Sequence, residues 1–242
     1  MLTTIINYKL NDKAIQLKEC FQKHCTTIAI DSGSGLNDSE KKHFDISLDN
    51  VYYCGMINAI GEYIRSSDQV YEFIYIIASD VEVEDHKLLI NKAKEAFKNQ
   101  KIGIYAPSVC PNGSPHPQMI NKGSNKLRNA VFIDGYCFAV RTKLLLELCP
   151  IDTSVNYIGW SVDLYFSYLA IRCGLYTVVD DQVMVQHKPS ENQSFRIDAR
   201  NQRNAWFKLL SKKARRYRSI TSIEFLKNEL GANLINSLNW KD

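Results

Sequence analysis

At 242 residues the chain is long enough for one sizeable α/β domain with a small appendage. Its 45% apolar and 23% charged residues are an ordinary globular balance and exclude a disordered chain. The net charge of +4 excludes little by itself, because six cations and no acid fall in one stretch, Lys208 to Arg218; with no basic-aromatic surface repeat beside it, a nucleic-acid binder is not expected.

Seven cysteines (Cys20, Cys25, Cys54, Cys110, Cys137, Cys149 and Cys173) are an odd number with no CxxC pair. Met1 leads straight into Leu-Thr-Thr-Ile-Ile, without the basic start and apolar run of a secretory leader. No apolar run approaches the roughly 20 residues that span a bilayer. Free thiols in a reducing cytoplasm are the expectation.

In chain order, Ile5 to Tyr8 reads as a first strand. Asn11 and Asp12 are N-cap types, and the helical spacing of Ala14, Ile15, Leu17, Cys20 and Phe21 predicts a helix over 12–24. The β-branched run Thr26–Ile30 predicts a strand that stops at Asp31-Ser-Gly-Ser-Gly. This βαβ opening predicts a parallel sheet with a right-handed crossover. A short strand is expected at 44–48 and a helix over 53–66. Phe73–Ala78 is apolar without alternation, the pattern of a central strand buried on both faces. A helix over 85–99 and a strand over 102–106 follow. Proline and glycine then break residues 107–129 into a long loop, a candidate acceptor-side wall or lid. A strand bent at Gly135 is expected over 131–140, helices over 141–148 and 162–173, and two short strands at 176–179 and 183–185. Gly174 reads as the residue just past a helix end. Polar, basic helices are expected over 198–217 and 221–237.

Four residues are candidates for chemistry. Asp31 and Asp80 follow apolar strands, and ligands in open parallel sheets bind outside the carboxyl ends of strands. Asp80 reads either as a cap of the next turn or as a hard oxygen ligand for Mg²⁺ or Mn²⁺. His187, after the last strand, is either structural or able to complete such a site through a neutral imidazole. Asp163, near a helix start beside the flat face of Trp160, complements the helix dipole or accepts a proton from a hydroxyl.

The order of these pieces resembles the GT-A glycosyltransferases, and within them family 2. The resemblance runs over about residues 3–190. It rests on Asp31-Ser-Gly-Ser34, Gly55-Met-Ile-Asn58, Ile76-Ile-Ala-Ser-Asp-Val81, the segment Gly135 to Arg141, Gly159 to Leu164, and Val183 to His187. It implies a GT-A, Rossmann-like, mostly parallel sheet flanked by helices over 1–190, with a basic helical extension packed on it over 191–242. It implies a nucleoside-diphosphate-sugar donor, a divalent metal, and transfer with inversion to a glycan or lipid-linked acceptor, in polysaccharide or glycoconjugate synthesis. Asn7 and Asp31 would contact base and ribose. Ser79 and Asp80 would meet the donor, with Asp80 and His187 at the metal. Asp163 would be the base and Trp160 would lie on the acceptor side. Two departures stand out: Ala78 replaces a first carboxylate, and Trp160, Ser161 and Val162 occupy positions where the family often has Glu-Asp. The sequence also allows a non-catalytic nucleotide-sugar-binding module of the same fold. A nucleotidyltransferase fits less well, since Asn7-Tyr-Lys-Leu-Asn-Asp lacks a glycine-rich loop. The basic segment 208–218 suggests peripheral contact with an anionic inner membrane face.

Overall fold

The computed structural model describes residues 1–187, 193–222 and 229–240. Eight strands form one sheet: β1 (Leu2–Asn7), β2 (Thr26–Ser32), β3 (Ile46–Leu48), β4 (Phe73–Ala78), β5 (Ile102–Val109), β6 (Leu127–Ala130), β7 (Cys137–Arg141) and β8 (Tyr176–Val185). Their order is β3-β2-β1-β4-β7-β5-β8-β6. β1 runs parallel to β2 and β4, and β5 parallel to β8, while β7 and β6 run the other way. The expected mostly parallel α/β sheet is therefore present. Chain order reverses direction across the sheet at β1, which has β2 on one side and β4 on the other. That switch point opens a crevice at the carboxyl ends of three parallel strands.

β4 is buried along its length up to Ile77, as a run without alternation requires. α1 (Asn11–Gln22) packs on β1 and β2, α3 (Tyr52–Ser66) on β2, α4 (His86–Phe97) on β5 and β8, α5 (Thr142–Leu148) on β7, and α6 (Val162–Arg172) on β5 and β8. A one-turn α2 (Asp38–Lys41), unforeseen in the sequence, carries a capping box between Asn37 and Glu40. Gly174 takes φ +70° just past the end of α6, as its position suggested.

Several expectations need correction. Residues 131–140 are not one bent strand. β6 ends at Ala130 and β7 begins at Cys137, and the residues between them, with a turn at Gly135-Tyr136, form no strand. The two short strands expected at 176–179 and 183–185 are one ten-residue strand, because Asp180 and Asp181 are buried and held by side-chain partners rather than exposed in a turn. α1 has no side-chain cap: Asn11 Oδ1 accepts instead from Asn7 Nδ2 at 2.9 Å, and its own amide donates to Glu40.

The C-terminal residues form α7 (Gln193–Leu209), α8 (Lys212–Thr221) and α9 (Glu229–Ser237). Helix 198–217 is broken at Ser211, whose hydroxyl caps α8 through the Ala214 N–H. Part of the helix expected over 221–237, and the boundary at 190, lie outside the described residues. Rings of Tyr165 and Tyr168 on α6 meet Trp206, Tyr217 and Trp240 at centroid distances of 5.3–6.5 Å, so these helices share an aromatic seam with the sheet domain.

Candidate functional site

The site is built at the switch point. The register pairs Asn7 with Asp31 across β1 and β2, and Ile6 with Ala78 across β1 and β4, so the residues at these strand ends share one edge. Asn7 and Asp31 are both buried, and Asn7 Nδ2 donates to Asp31 Oδ1 at 2.8 Å. The Ser34 N–H donates to Asp31 Oδ2 at 3.0 Å, and the Ser34 hydroxyl contacts its Oδ1 closely. Gly33 permits this turn with φ +70°; a Cβ there would lie 2.6 Å from the Asn50 nitrogen. Ser79 is buried, and its N–H donates to Ile6 O at 3.0 Å, which ties the end of β4 to β1.

One residue beyond, the chain turns out to solvent. The Asp80 side chain is 45% exposed. Its carboxylate faces His187 Nε2 at 3.5 Å. His187 Nδ1 lies 2.8 Å from the Gly113 carbonyl. A carbonyl only accepts, so Nδ1 carries the proton and a neutral ring turns the Nε2 lone pair toward Asp80. Tyr136 stacks on the imidazole at 4.0 Å and 10°, holding its plane. Burial disfavours charge on His187, but the Asp80 carboxylate and the Gly113 carbonyl outweigh it and raise its pKa. An oriented imidazole nitrogen and a carboxylate oxygen facing each other are a donor set that fits Mn²⁺. No group of three or more His, Cys, Asp or Glu side chains is placed for a metal among the described residues, so further ligands would have to come from phosphate oxygens and water.

The second half of the site is carboxylic. Asp163 sits in the first turn of α6, and the Leu164 N–H donates to its Oδ1 at 2.7 Å. Desolvation, then repulsion from Asp134, raises its pKa from 3.8 to about 7, against the hydrogen bonds of the Leu164 and Gly135 N–H groups. The chain reaches this position through two left-handed residues on either side of Trp160: Gly159 at φ +94° and Ser161 at φ +69°. Gly159 is required, because a Cβ would stand 2.6 Å from Cδ1 of Tyr53. Gly135 flanks the same tyrosine from the other side, and the Tyr53 hydroxyl donates to its carbonyl at 3.2 Å. Trp160 is partly exposed beside this turn.

Asp134 is the residue that sequence reasoning missed. Its charge bears on both His187 and Asp163. The Ser114 hydroxyl holds its Oδ2 at 2.9 Å, and the Gly135 N–H contacts its Oδ1. The available signal was the Asp-Gly dipeptide, a turn marker inside a supposed strand.

The loop between β5 and β6 supplies Gly113 and Ser114 to this arrangement. It is fastened by a bidentate ion pair in which Arg128 Nε and Nη2 each lie 2.8 Å from a carboxylate oxygen of buried Asp181. Arg128 also donates to the Gln118 and Ile120 carbonyls. Two residues of the resembling motifs prove structural. Asn58 pairs with both backbone groups of Ile151, and Arg141 clips β7 to Ile102, Phe97 and Glu72.

No family model matches the chain, and no curated protein sequence matches it. Among solved structures it is similar to the crystal structure of GalNAc-T7 with UDP, GalNAc and Mn2+, at a TM-score of 0.56 and 12% identity. The likeness covers 78% of this chain and 43% of that one, so the chain spans less than half the length of its structural neighbour. At that identity the likeness is one of fold alone: an open, mixed eight-stranded α/β sheet flanked by helices, of the GT-A kind.

Proposed function

We propose that the chain is a family 2 type glycosyltransferase that moves a sugar from a nucleoside-diphosphate-sugar to a hydroxyl of a glycan or lipid-linked acceptor, with inversion. The observation that supports this best is the facing pair Asp80 and His187 at the switch point, with a near-neutral carboxyl, Asp163, beyond Asp134. The UDP, sugar and Mn2+ in the neighbouring fold agree with it.

Asn7 and Asp31, joined at the base of the crevice, are assigned to the nucleotide's base and ribose, and Ser79 and Asp80 to its donor end. Asp80 and His187 would hold Mn²⁺ or Mg²⁺. Bound there, the ion would neutralise charge on the departing diphosphate. Trp160 offers a ring face to the acceptor sugar. Asp163, titrating near neutrality, takes the proton of the acceptor oxygen as that oxygen bonds to the anomeric carbon and the bond to the diphosphate breaks. Burial and Asp134 thus give Asp163 the basicity this step needs. A role in surface polysaccharide or glycoconjugate synthesis on the cytoplasmic side of a membrane completes the reading. No helix among the described residues is long and apolar enough to cross a membrane.

A thermal-shift screen of UDP-, GDP-, dTDP- and CMP-sugars with and without Mn²⁺ tests it. A donor at a hundred times its Kd should add about 2.7 kcal/mol of stability. Asp80→Ala should abolish the Mn²⁺-dependent part. A full shift in that variant overturns the assignment. Binding without turnover on an acceptor panel would favour a binding module, in keeping with the missing carboxylate at Ala78.

A further inference from the structure

A second charged feature shares no residue with this site. Between α7 and α8 is an open groove of about 550 Å³. Lys208, Arg215 and Arg218 line it together with Asn204, Phe207 and Ser219, and among the described residues no acidic side chain does. None of the three cations has a carboxylate partner among the described residues.

Their contacts are all with neutral groups. Arg215 Nη1 donates to the Lys208 and Leu210 carbonyls at 3.0 and 2.8 Å, at the exposed carbonyl end of α7. Arg218 lies over the Phe207 ring at 4.6 Å. Its Nη2 donates to Asn204 Oδ1 at 2.7 Å, and Arg203 Nη2 reaches the same oxygen at 3.3 Å. Two guanidinium groups therefore share one uncharged acceptor, and Arg203 Nε is buried with no hydrogen-bond partner among the described residues. Burial, then repulsion from Arg218 and Arg200, lowers the pKa of Arg203. Cations gathered and partly desolvated without counter-charge raise the energy of the empty groove, and an anion lowers it. The guanidinium groups are tied in place by packing and by neutral acceptors, so they would lose little further freedom on binding. Three cations on one opening call for more than one negative charge, and planar guanidinium forks match phosphate oxygens.

We propose that the α7–α8 groove binds a phosphate-bearing ligand, through Lys208, Arg215 and Arg218, at a site separate from the Asp80–His187 crevice. This does not rest on the transfer reading, since no residue of that crevice takes part. The phosphate could belong to a lipid headgroup or to a soluble compound, and both present the same group to the groove.

Titration calorimetry of the full chain with inorganic pyrophosphate, in EDTA so that no metal bridges it to the crevice, tests the proposal. Lys208 and Ser219 are exposed, so Lys208→Glu lowers and the double variant with Ser219→Glu cancels the charge of the groove's three cations without disturbing packing; unchanged Tm confirms the fold. Saturable binding is expected. It should weaken on the order of tenfold in Lys208→Glu and about a hundredfold in the double variant, and remain unchanged in Asp80→Ala. Absence of binding by the wild type, equal binding by the double variant, or loss in Asp80→Ala overturns it. Sedimentation with phosphatidylcholine vesicles, with and without phosphatidic acid, then separates the sources. Pelleting with phosphatidic acid that the double variant loses identifies a lipid phosphate. Pyrophosphate binding without pelleting identifies a soluble one.

Discussion

Replacing Asp163 with asparagine should change how the protein's stability depends on pH. In the folded state burial and Asp134 raise this carboxyl from 3.8 to about 7. In the unfolded chain it titrates at about 3.9. Between those values the native state holds a proton that the unfolded state has released. Stability from this group is therefore full below pH of about 4 and is lost as pH rises toward about 7, by up to about 1.4 kcal/mol per unit. The whole span amounts to about 4 kcal/mol, and partial exposure of the side chain brings the expected effect nearer about 2 kcal/mol. Asp163→Asn removes the titration. Urea unfolding across that range should show the variant gaining on the wild type as pH increases. Asp134→Asn should lower the upper end of the wild-type window, because it removes the repulsion but leaves burial. A stability difference between Asp163→Asn and wild type that stays constant with pH would refute the electrostatic argument, and with it the basicity assigned to Asp163.

Three further outcomes follow from the geometry. Arg128→Met should cost about 3–5 kcal/mol in urea unfolding, because it leaves the buried Asp181 carboxylate unpaired; Arg128→Met with Asp181→Leu should recover most of that loss. Gly159→Ala should destabilise by about 2 kcal/mol or more, as its Cβ meets the Tyr53 ring and its φ is left-handed, and a Tm equal to wild type would contradict the turn described. Ser161→Gly should stabilise by up to about 1 kcal/mol by relieving a left-handed serine at the entry to α6; a lower Tm would show that the serine side chain is needed there.

The β4 strand was legible because both its faces are buried, so its composition alone marks it. The helix end at Gly174 was legible because only glycine adopts that conformation freely. Local chemistry was a poorer guide where residues distant in sequence compete for a group. Asn11 resembled a cap, yet its amide serves Asn7 and Glu40. Asp180 and Asp181 resembled a turn, yet Tyr105 and Arg128, at least 53 positions away, hold them inside a strand.

The same division holds for the site. The sequence by itself determined which strands end in side chains capable of chemistry: Asp31, Asp80 and His187 each follow an apolar run whose period or burial can be read locally. It also placed Asp163 in a first helical turn. Only the tertiary structure decided how those residues meet. Which nitrogen of His187 faces Asp80 depends on a carbonyl 74 positions away, at Gly113. The basicity of Asp163 depends on Asp134, which arrives from a different strand connection. Such settings are set by distance and solvent exclusion, and neither is encoded in the spacing of residues along the chain.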